Sequence, residues 1–314
     1  MNRTVAAAEI GGQTIVYDPL TGQTRLADRP LPAGRRTYDD RELAGWPQID
    51  PASLNSGWPV SLCWSPLVRC NLACPHCLDD KQLPELPAAD RARTGQAIAS
   101  SGVLGVDISG GEPLLLTDLP DLADLLVAGG LAVSVTTNGW QLARRAAALA
   151  RHVDAVRVSL DGPDPDRHDA MRGRRSFDRA LGGIVAARAA GLPVQIQTVI
   201  RASLTRRDLQ CLVDLAARLG AQGVTFLQML PLGEGAALTA ELVGDAVARA
   251  LVDSLAVPAG LAVRLRTRAA AGNFTVVRAD GQVWRNQPDA AGIGPTDRLH
   301  GPTGLALTAP DGSA

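Results

Sequence analysis

The sequence is short of aromatic side chains, of cysteine and of uninterrupted apolar runs. Only 3% of its 314 residues are Phe, Trp or Tyr, too few for the stacking platforms that hold single-stranded nucleic acid. Its 31 basic and 32 acidic residues leave a net charge of −1, so no broad field draws it to nucleic acid or to a membrane surface. No apolar stretch approaches the ~20 residues that span a bilayer. The start, Met1-Asn2-Arg3-Thr4-Val5, carries one early Arg, and Glu9 interrupts the only apolar candidate for a signal peptide. Five cysteines are an odd number, and few for a secreted disulfide framework. These absences predict a cytoplasmic protein with no nucleic-acid partner and no membrane partner.

What is present is a rhythm. From about residue 58, short apolar runs alternate with longer stretches of helical period. The runs are Val60–Trp64, Val103–Ile108, Ala132–Val135, Ala155–Leu160, Val194–Ile200 and Gly223–Met229. Between them lie Ala88–Ser101, Leu119–Ala128, Leu142–Ala150, Phe177–Ala190 and Asp208–Leu219. In the last of these, Leu209, Leu212, Val213, Ala216 and Leu219 share one face. Repeated βαβ units predict an α/β fold with a parallel sheet, its strands apolar because helices cover them. Function in such a sheet sits at the C-terminal ends of the strands.

The flanks differ. Gln13–Tyr17 and Gln23–Leu26 alternate around Asp18-Pro19-Leu20-Thr21-Gly22, which predicts a hairpin. Residues 28–57 read as a loose connector. Beyond residue 233, Ala237–Leu255 reads as a helix, and Leu261–Leu265 and Phe274–Val277 as strands. Asp280-Gly281 between Val277 and Val283 signals another hairpin, and the Gly/Pro/Asp-rich tail from Pro288 reads as irregular. The chain thus divides into an N-terminal β extension with connector (1–57), a core (58–232) and a C-terminal α+β cap (233–314).

Three of the five cysteines fall within Cys70-Asn71-Leu72-Ala73-Cys74-Pro75-His76-Cys77, directly after the first strand of the rhythm. A tight loop of this spacing can aim three thiolates at one centre, and soft thiolates select zinc, copper or iron–sulfur. A structural zinc site takes four protein ligands, and His76 adjoins Cys77 too closely to serve well beside it. Three ligands with an open fourth position is the economical reading.

These residues resemble the radical S-adenosylmethionine (SAM) superfamily over roughly residues 58–232. Ser109-Gly110-Gly111-Glu112-Pro113, ending the second strand, is similar to the family's Gly-Gly-Glu-Pro segment, whose backbone receives the SAM amino group. Thr136-Thr137-Asn138-Gly139 and Ser159-Leu160-Asp161-Gly162 resemble strand ends that line the SAM ribose and carboxylate. His168, Met171-Arg172-Gly173 and Phe177 resemble a pattern in which Arg172 contacts the carboxylate, and His76 contributes backbone beside the adenine. One departure is Arg201-Ala202-Ser203, where the resemblance leads one to expect an Asn. The resemblance implies a partial (β/α)6 TIM-like barrel. It also implies a [4Fe–4S] cluster on Cys70, Cys74 and Cys77, with SAM on the fourth iron. Reductive cleavage of SAM would yield methionine and a 5′-deoxyadenosyl radical that takes a hydrogen atom from the substrate. The electron would come from an external reductant such as flavodoxin or ferredoxin.

Many peptide-modifying relatives carry auxiliary clusters in a C-terminal extension, and Arg278–Asn286 faintly resembles its strand pair. Yet no cysteine follows Cys211, so residues 233–314 supply no cysteine ligands for a second cluster. That favours redox-neutral chemistry: epimerisation, decarboxylation, elimination or rearrangement. The expected substrate is a small natural-product metabolite such as a sugar, nucleoside or amino acid. The alternative is a ribosomally made peptide, because the N-terminal hairpin faintly resembles a leader-gripping domain. A zinc-stabilised binding module is the remote non-enzymatic reading. Cys211 reads as a buried inert thiol. Cys63 reads as a core thiol or, on proximity alone, as a hydrogen-atom donor.

Overall fold

The computed structural model describes residues 2–54, 59–268, 274–286 and 293–298. Two sheets organise them. The first is antiparallel, in the order β4-β1-β2-β3-β5, from β1 (Asn2–Ile10), β2 (Gln13–Asp18), β3 (Gln23–Leu26), β4 (Gly34–Asp39) and β5 (Gln48–Ile49). Gly11 and Gly12, at φ +60° and +75°, make the tight turn between β1 and β2, as a two-residue hairpin of mirror-image turn type requires. The expected hairpin is β2–β3. Its loop is pinned by Asp18, which accepts from the Leu20 N–H at 2.9 Å and the Thr21 hydroxyl at 2.7 Å. The expectation of a loose connector over 28–57 is corrected: β4, helix α1 (Asp40–Gly45) and β5 come from it. Short charged strands such as Gly34–Asp39 carry little apolar signal, and pairing with β1 supplies what the pattern lacks.

The second sheet holds β6 (Ser61–Trp64), β7 (Gly105–Ile108), β8 (Ala132–Thr137), β9 (Ala155–Ser159), β10 (Val194–Ile200), β11 (Gly223–Gln228), β12 (Ala262–Arg266), β13 (Thr275–Val277), β14 (Gln282–Asn286) and β15 (Ile293–Arg298). Their order is β12-β11-β10-β9-β8-β7-β6-β13-β14-β15. All pairs from β12 to β13 are parallel, and β14 and β15 return antiparallel. The sheet curls into a partial barrel. The six expected strands are all present, and residues beyond 233 lengthen the same sheet at both edges. β13 joins β6 in parallel, with Val276 opposite Cys63. The Asp280-Gly281 hairpin forms as expected, with Gly281 at φ +79°.

Helices α2 (Ala88–Ala99), α3 (Leu119–Ala128), α4 (Leu142–Leu149), α6 (Ser176–Ala189) and α7 (Arg206–Arg218) fall where the periodicity puts them. A short helix α5 (Pro165–Arg172) precedes α6. It starts at Asp164, whose side chain accepts from the Arg167 N–H at 2.9 Å. The helix expected over 237–255 is shorter, α8 (Asp245–Asp253), preceded by two 3-10 turns. Strand β15 lies where an irregular tail was expected. Residues 288–292 and 299–314 of that tail lie outside the described residues. Cys211 is exposed on α7 rather than buried, because it sits at the margin of the face formed by Leu209, Leu212, Val213 and Ala216.

One large core unites the strands with their covering helices. A smaller one joins Ala6, Ile15 and Tyr17 of the first sheet to Val60, Leu104 and Ala132. These last three stand at the N-terminal ends of β6, β7 and β8. The antiparallel sheet therefore covers the floor of the barrel. Its other face packs Val5, Ala7 and Val16 against Leu43 and Trp46. The opposite, C-terminal end of the barrel stays available.

Candidate active site at the C-terminal ends of the strands

The cysteine loop leaves β6 and crosses the C-terminal end of the barrel. The Ser109–Pro113 segment is clamped to it. Gly111 N–H donates to Leu67 O and Glu112 N–H to Arg69 O, both at 2.9 Å. A Cβ on Gly110 would stand 2.5 Å from Leu67 O, and one on Gly111 2.1 Å from Arg69 O. Gly110 also sits at φ +104°, where side chains are strained. Only glycines allow the two backbones this close.

Glu112 is fully buried. Its carboxylate accepts from the Leu114 N–H (3.0 Å), the Thr137 hydroxyl (2.7 Å) and the Asn138 N–H (2.8 Å). Burial raises its pKa, and these three donors oppose the rise. Its side chain is thus a bracket between two strand ends. Asn138 reaches onward from this bracket, donating to Asn71 Oδ1 at 3.0 Å and to the Cys70 sulfur at 3.7 Å. Thr136 turns inward and donates to Asp107. Ser159 ends β9 and is buried.

Asp161, buried beyond β9, is a second hub. It accepts from Arg172 Nε at 2.5 Å and from the Val199 N–H at 2.9 Å, and His76 Nε2 lies 3.1 Å away. Burial opposes its ionisation, yet Arg172 and then His76 hold the carboxyl well below the usual range. Asp161 thereby ties α5, β10 and the cysteine loop together. His168 is structural: its Nδ1 accepts from the Asp161 N–H at 3.0 Å, and its ring meets Phe177 edge-on. Ser203, at the departure from the expected Asn, receives a hydrogen bond from Arg201 at 3.1 Å. Arg201 in turn donates to Asp161 O.

The thiols of Cys70, Cys74 and Cys77 are half-buried. Burial raises the pKa of each; the Leu72 N–H and the Asn138 amide oppose this at Cys70, Arg172 at Cys74, and the Asp79 N–H and then Lys81 at Cys77. Among the described residues no three His, Cys, Asp or Glu side chains converge closely enough to hold a single metal ion. In a four-iron cluster each thiolate binds its own iron, so the three need not meet at one point.

Next to the loop lies a cavity of about 200 Å³. Cys63, Asp107, Arg157 and Arg266 line it from inside the barrel, with His76 and Ser109 at its loop side. The Cys63 thiol is 2.8 Å from the Ser109 hydroxyl, and burial, then Asp107, pushes its pKa up to about 12. The His76 Nδ1 atom is buried and finds no hydrogen-bond partner among the described residues. Asp107 accepts from the Ser134 and Thr136 hydroxyls at 2.7 Å each, and Arg157 lies 3.3 Å from it. The sequence reading missed these inward charges. Their signal is an ionisable residue inside an otherwise apolar strand: Gly-Val-Asp107-Ile, Ala-Val-Arg157-Val-Ser and Ala-Val-Arg264-Leu-Arg266.

Residues 64–216 match the radical SAM superfamily. This chain carries a radical SAM domain. GTP 3′,8-cyclase of Rhodopseudomonas palustris (strain TIE-1) is 38% identical over 178 residues, 53% of this chain and 51% of the relative. GTP 3′,8-cyclase 2 of Mycobacterium bovis is 35% identical over 53% of this chain and 49% of its own. The chain thus spans about half the length of the curated relatives it matches. Among solved structures, Streptococcus suis SuiB bound to S-adenosylmethionine superposes with a TM-score of 0.62 at 15% identity, over 89% of this chain and 80% of that one. SuiB bound to precursor peptide SuiA gives 0.61 at 18%, over 75% and 60%. At such identity the likeness establishes the fold alone.

The cofactors of the radical SAM domain are a [4Fe–4S] cluster and SAM. The residues present suit them. The cysteine loop offers three thiols, and that of Cys70 receives donors at sulfur from the Leu72 N–H and the Asn138 amide, the kind of contact that tunes iron–sulfur sites. The glycines of Ser109–Pro113 let that segment pack directly on the backbone of the loop. Among the described residues no helix is long and apolar enough to cross a membrane.

Proposed function

We propose that the chain is an enzyme acting on a small metabolite held in the barrel cavity. In this reading Cys70, Cys74 and Cys77 bind the cluster. The Ser109–Pro113 backbone, Thr137, Asn138, Ser159, Asp161, Arg172 and the backbone at His76 orient SAM. The bound cofactors supply a carbon-centred radical able to take a hydrogen atom from an unactivated position. The protein positions the substrate and excludes water. The observation that carries the reading is the cavity itself. It adjoins the cysteine loop through His76 and Ser109, and its volume of about 200 Å³ suits a small molecule. The N-terminal sheet supports it by being occupied with the barrel floor, which leaves a peptide substrate as the alternative. GTP appears in the relatives' names, so GTP is one metabolite to feed.

With cysteine ligands for one cluster, a redox-neutral outcome is the simplest. Cys63 then has a role: its protonated thiol gives a hydrogen atom to the substrate radical. The S–H bond breaks and the substrate C–H forms. An external one-electron donor of flavodoxin or ferredoxin type, with a proton, restores the thiol. The test is anaerobic. Reduced holoenzyme should form 5′-deoxyadenosine from SAM, and a deuterated true substrate should pass deuterium into it. Cys70→Ala, Cys74→Ala or Cys77→Ala should abolish iron binding and cleavage. Cys63→Ala should leave abstraction intact but stop solvent deuterium from entering the product. A colourless protein with stoichiometric zinc refutes the reading, and deuterium transfer only from a fed precursor peptide transfers it to the peptide alternative.

A further inference from the structure

Among the described residues, the barrel strands turn Arg157, Arg264 and Arg266 inward, and the first two are already engaged. Arg157 donates to Pro19 O at 2.5 Å and lies 3.3 Å from Asp107. Arg264 donates to Thr21 O and Gly22 O at 2.6 and 2.8 Å. Arg266, one pleat beyond Arg264 and opposite Leu227, differs. It lines the cavity, and among the described residues no carboxylate pairs with it. Its guanidinium lies over the Phe274 ring at 4.8 Å, which steadies its plane without neutralising it. Asp107, the acid in the same cavity wall, already takes two hydroxyls and Arg157. Among the described residues that line it, two arginines thus face one aspartate. Burial and then the neighbouring Arg157 weaken Arg266 as a base, so an arriving anion gains on both counts. A guanidinium fork suits a carboxylate or a phosphoryl group through two parallel hydrogen bonds.

We infer that the cavity takes a substrate bearing an anionic oxygen group, carboxylate or phosphoryl, gripped by Arg266. This deepens the proposed function and rests on it. A neutral sugar or uncharged nucleoside would leave Arg266 uncompensated.

The test is calorimetric titration of anaerobic holoenzyme, in the presence of SAM, with inorganic pyrophosphate for the phosphoryl arm and glutarate for the carboxylate arm. One of the two should bind. Arg266→Gln should weaken that binding at least tenfold, and Arg266→Lys should retain most of it. Binding of neither anion, or equal binding by Arg266→Gln, overturns the inference. If Arg266→Gln does not fold, phenylglyoxal labelling of the wild type reads the same contact. The bound anion should shield the Arg266 peptide, and no shielding overturns the inference. Wild-type 5′-deoxyadenosine formation separates the levels: cleavage without anion binding rejects this inference alone, whereas no cleavage rejects the reading beneath it.

Discussion

Glu112 shows how an acid in a conspicuous motif can be spent on the fold itself. Both carboxylate oxygens are occupied by Leu114, Thr137 and Asn138, and the group is fully buried. Gly110 and Gly111 do the complementary work, letting the segment lie against the carbonyls of Leu67 and Arg69. Glu112→Gln keeps the shape but turns an amide N–H₂ toward a backbone N–H or a hydroxyl donor. A buried donor facing a donor costs about 1–3 kcal/mol. The variant should therefore unfold at lower denaturant by that amount, and SAM affinity should fall because Asn138 loses its anchor. Unchanged denaturation would show that the bracket is not needed. The motif was legible in the sequence because glycines and an acid in a fixed run are visible by eye. That its acid faces Thr137 and Asn138 was not, since the contact joins positions 25 and 26 residues apart.

At the scale of elements, the parallel strands were easy to read and their inward faces were not. Apolar runs announce a sheet covered by helices, and all six expected strands form. The same runs hide which face lines the cavity. Asp107, Arg157 and Arg266 mark it, because an ionisable side chain in such a strand must point away from the helix-covered face. The edge strands β4 and β13 were harder, being short and dependent on partners far along the chain. Helix α5 offers a test of this level. Its His168 is fully buried, and burial drops its pKa to about 4 from 6.5, with Asp161 and Asp169 pulling up and Arg172 and His76 pulling down. Folding lowers this pKa, so the unfolded chain binds the extra proton. The histidine's contribution is intact above pH 6.5 and is lost as pH falls toward 4. The loss is at most about 3 kcal/mol. His168→Gln keeps an acceptor for the Asp161 N–H but cannot titrate. Its melting temperature should fall less steeply than the wild type's between those pH values, and parallel profiles would contradict the assignment.

For the whole molecule, the question is whether the N-terminal sheet is a separate module or part of the barrel. The contacts favour one body. Tyr17 is buried against Gly105, where a Cβ would stand 2.0 Å from its ring. Arg157 and Arg264 reach from barrel strands to the carbonyls of Pro19, Thr21 and Gly22. Arg35 of β4 pairs with buried Asp154, which also accepts from the Val133 N–H at 2.9 Å. These ties span the floor of the same barrel whose upper end carries the cysteine loop. Loosening the floor should therefore be felt at the top. Tyr17→Ala empties a large buried site, a change that costs about 3–5 kcal/mol for aromatic residues in cores. Helix signal and cluster absorbance should then be lost together in one transition, at lower temperature than in the wild type. If instead the far-ultraviolet signal fell in two steps, with the cluster surviving the first, the sheet would be an independent module. Its covered face would then be free to serve a partner, and the peptide alternative would regain the element it lacks.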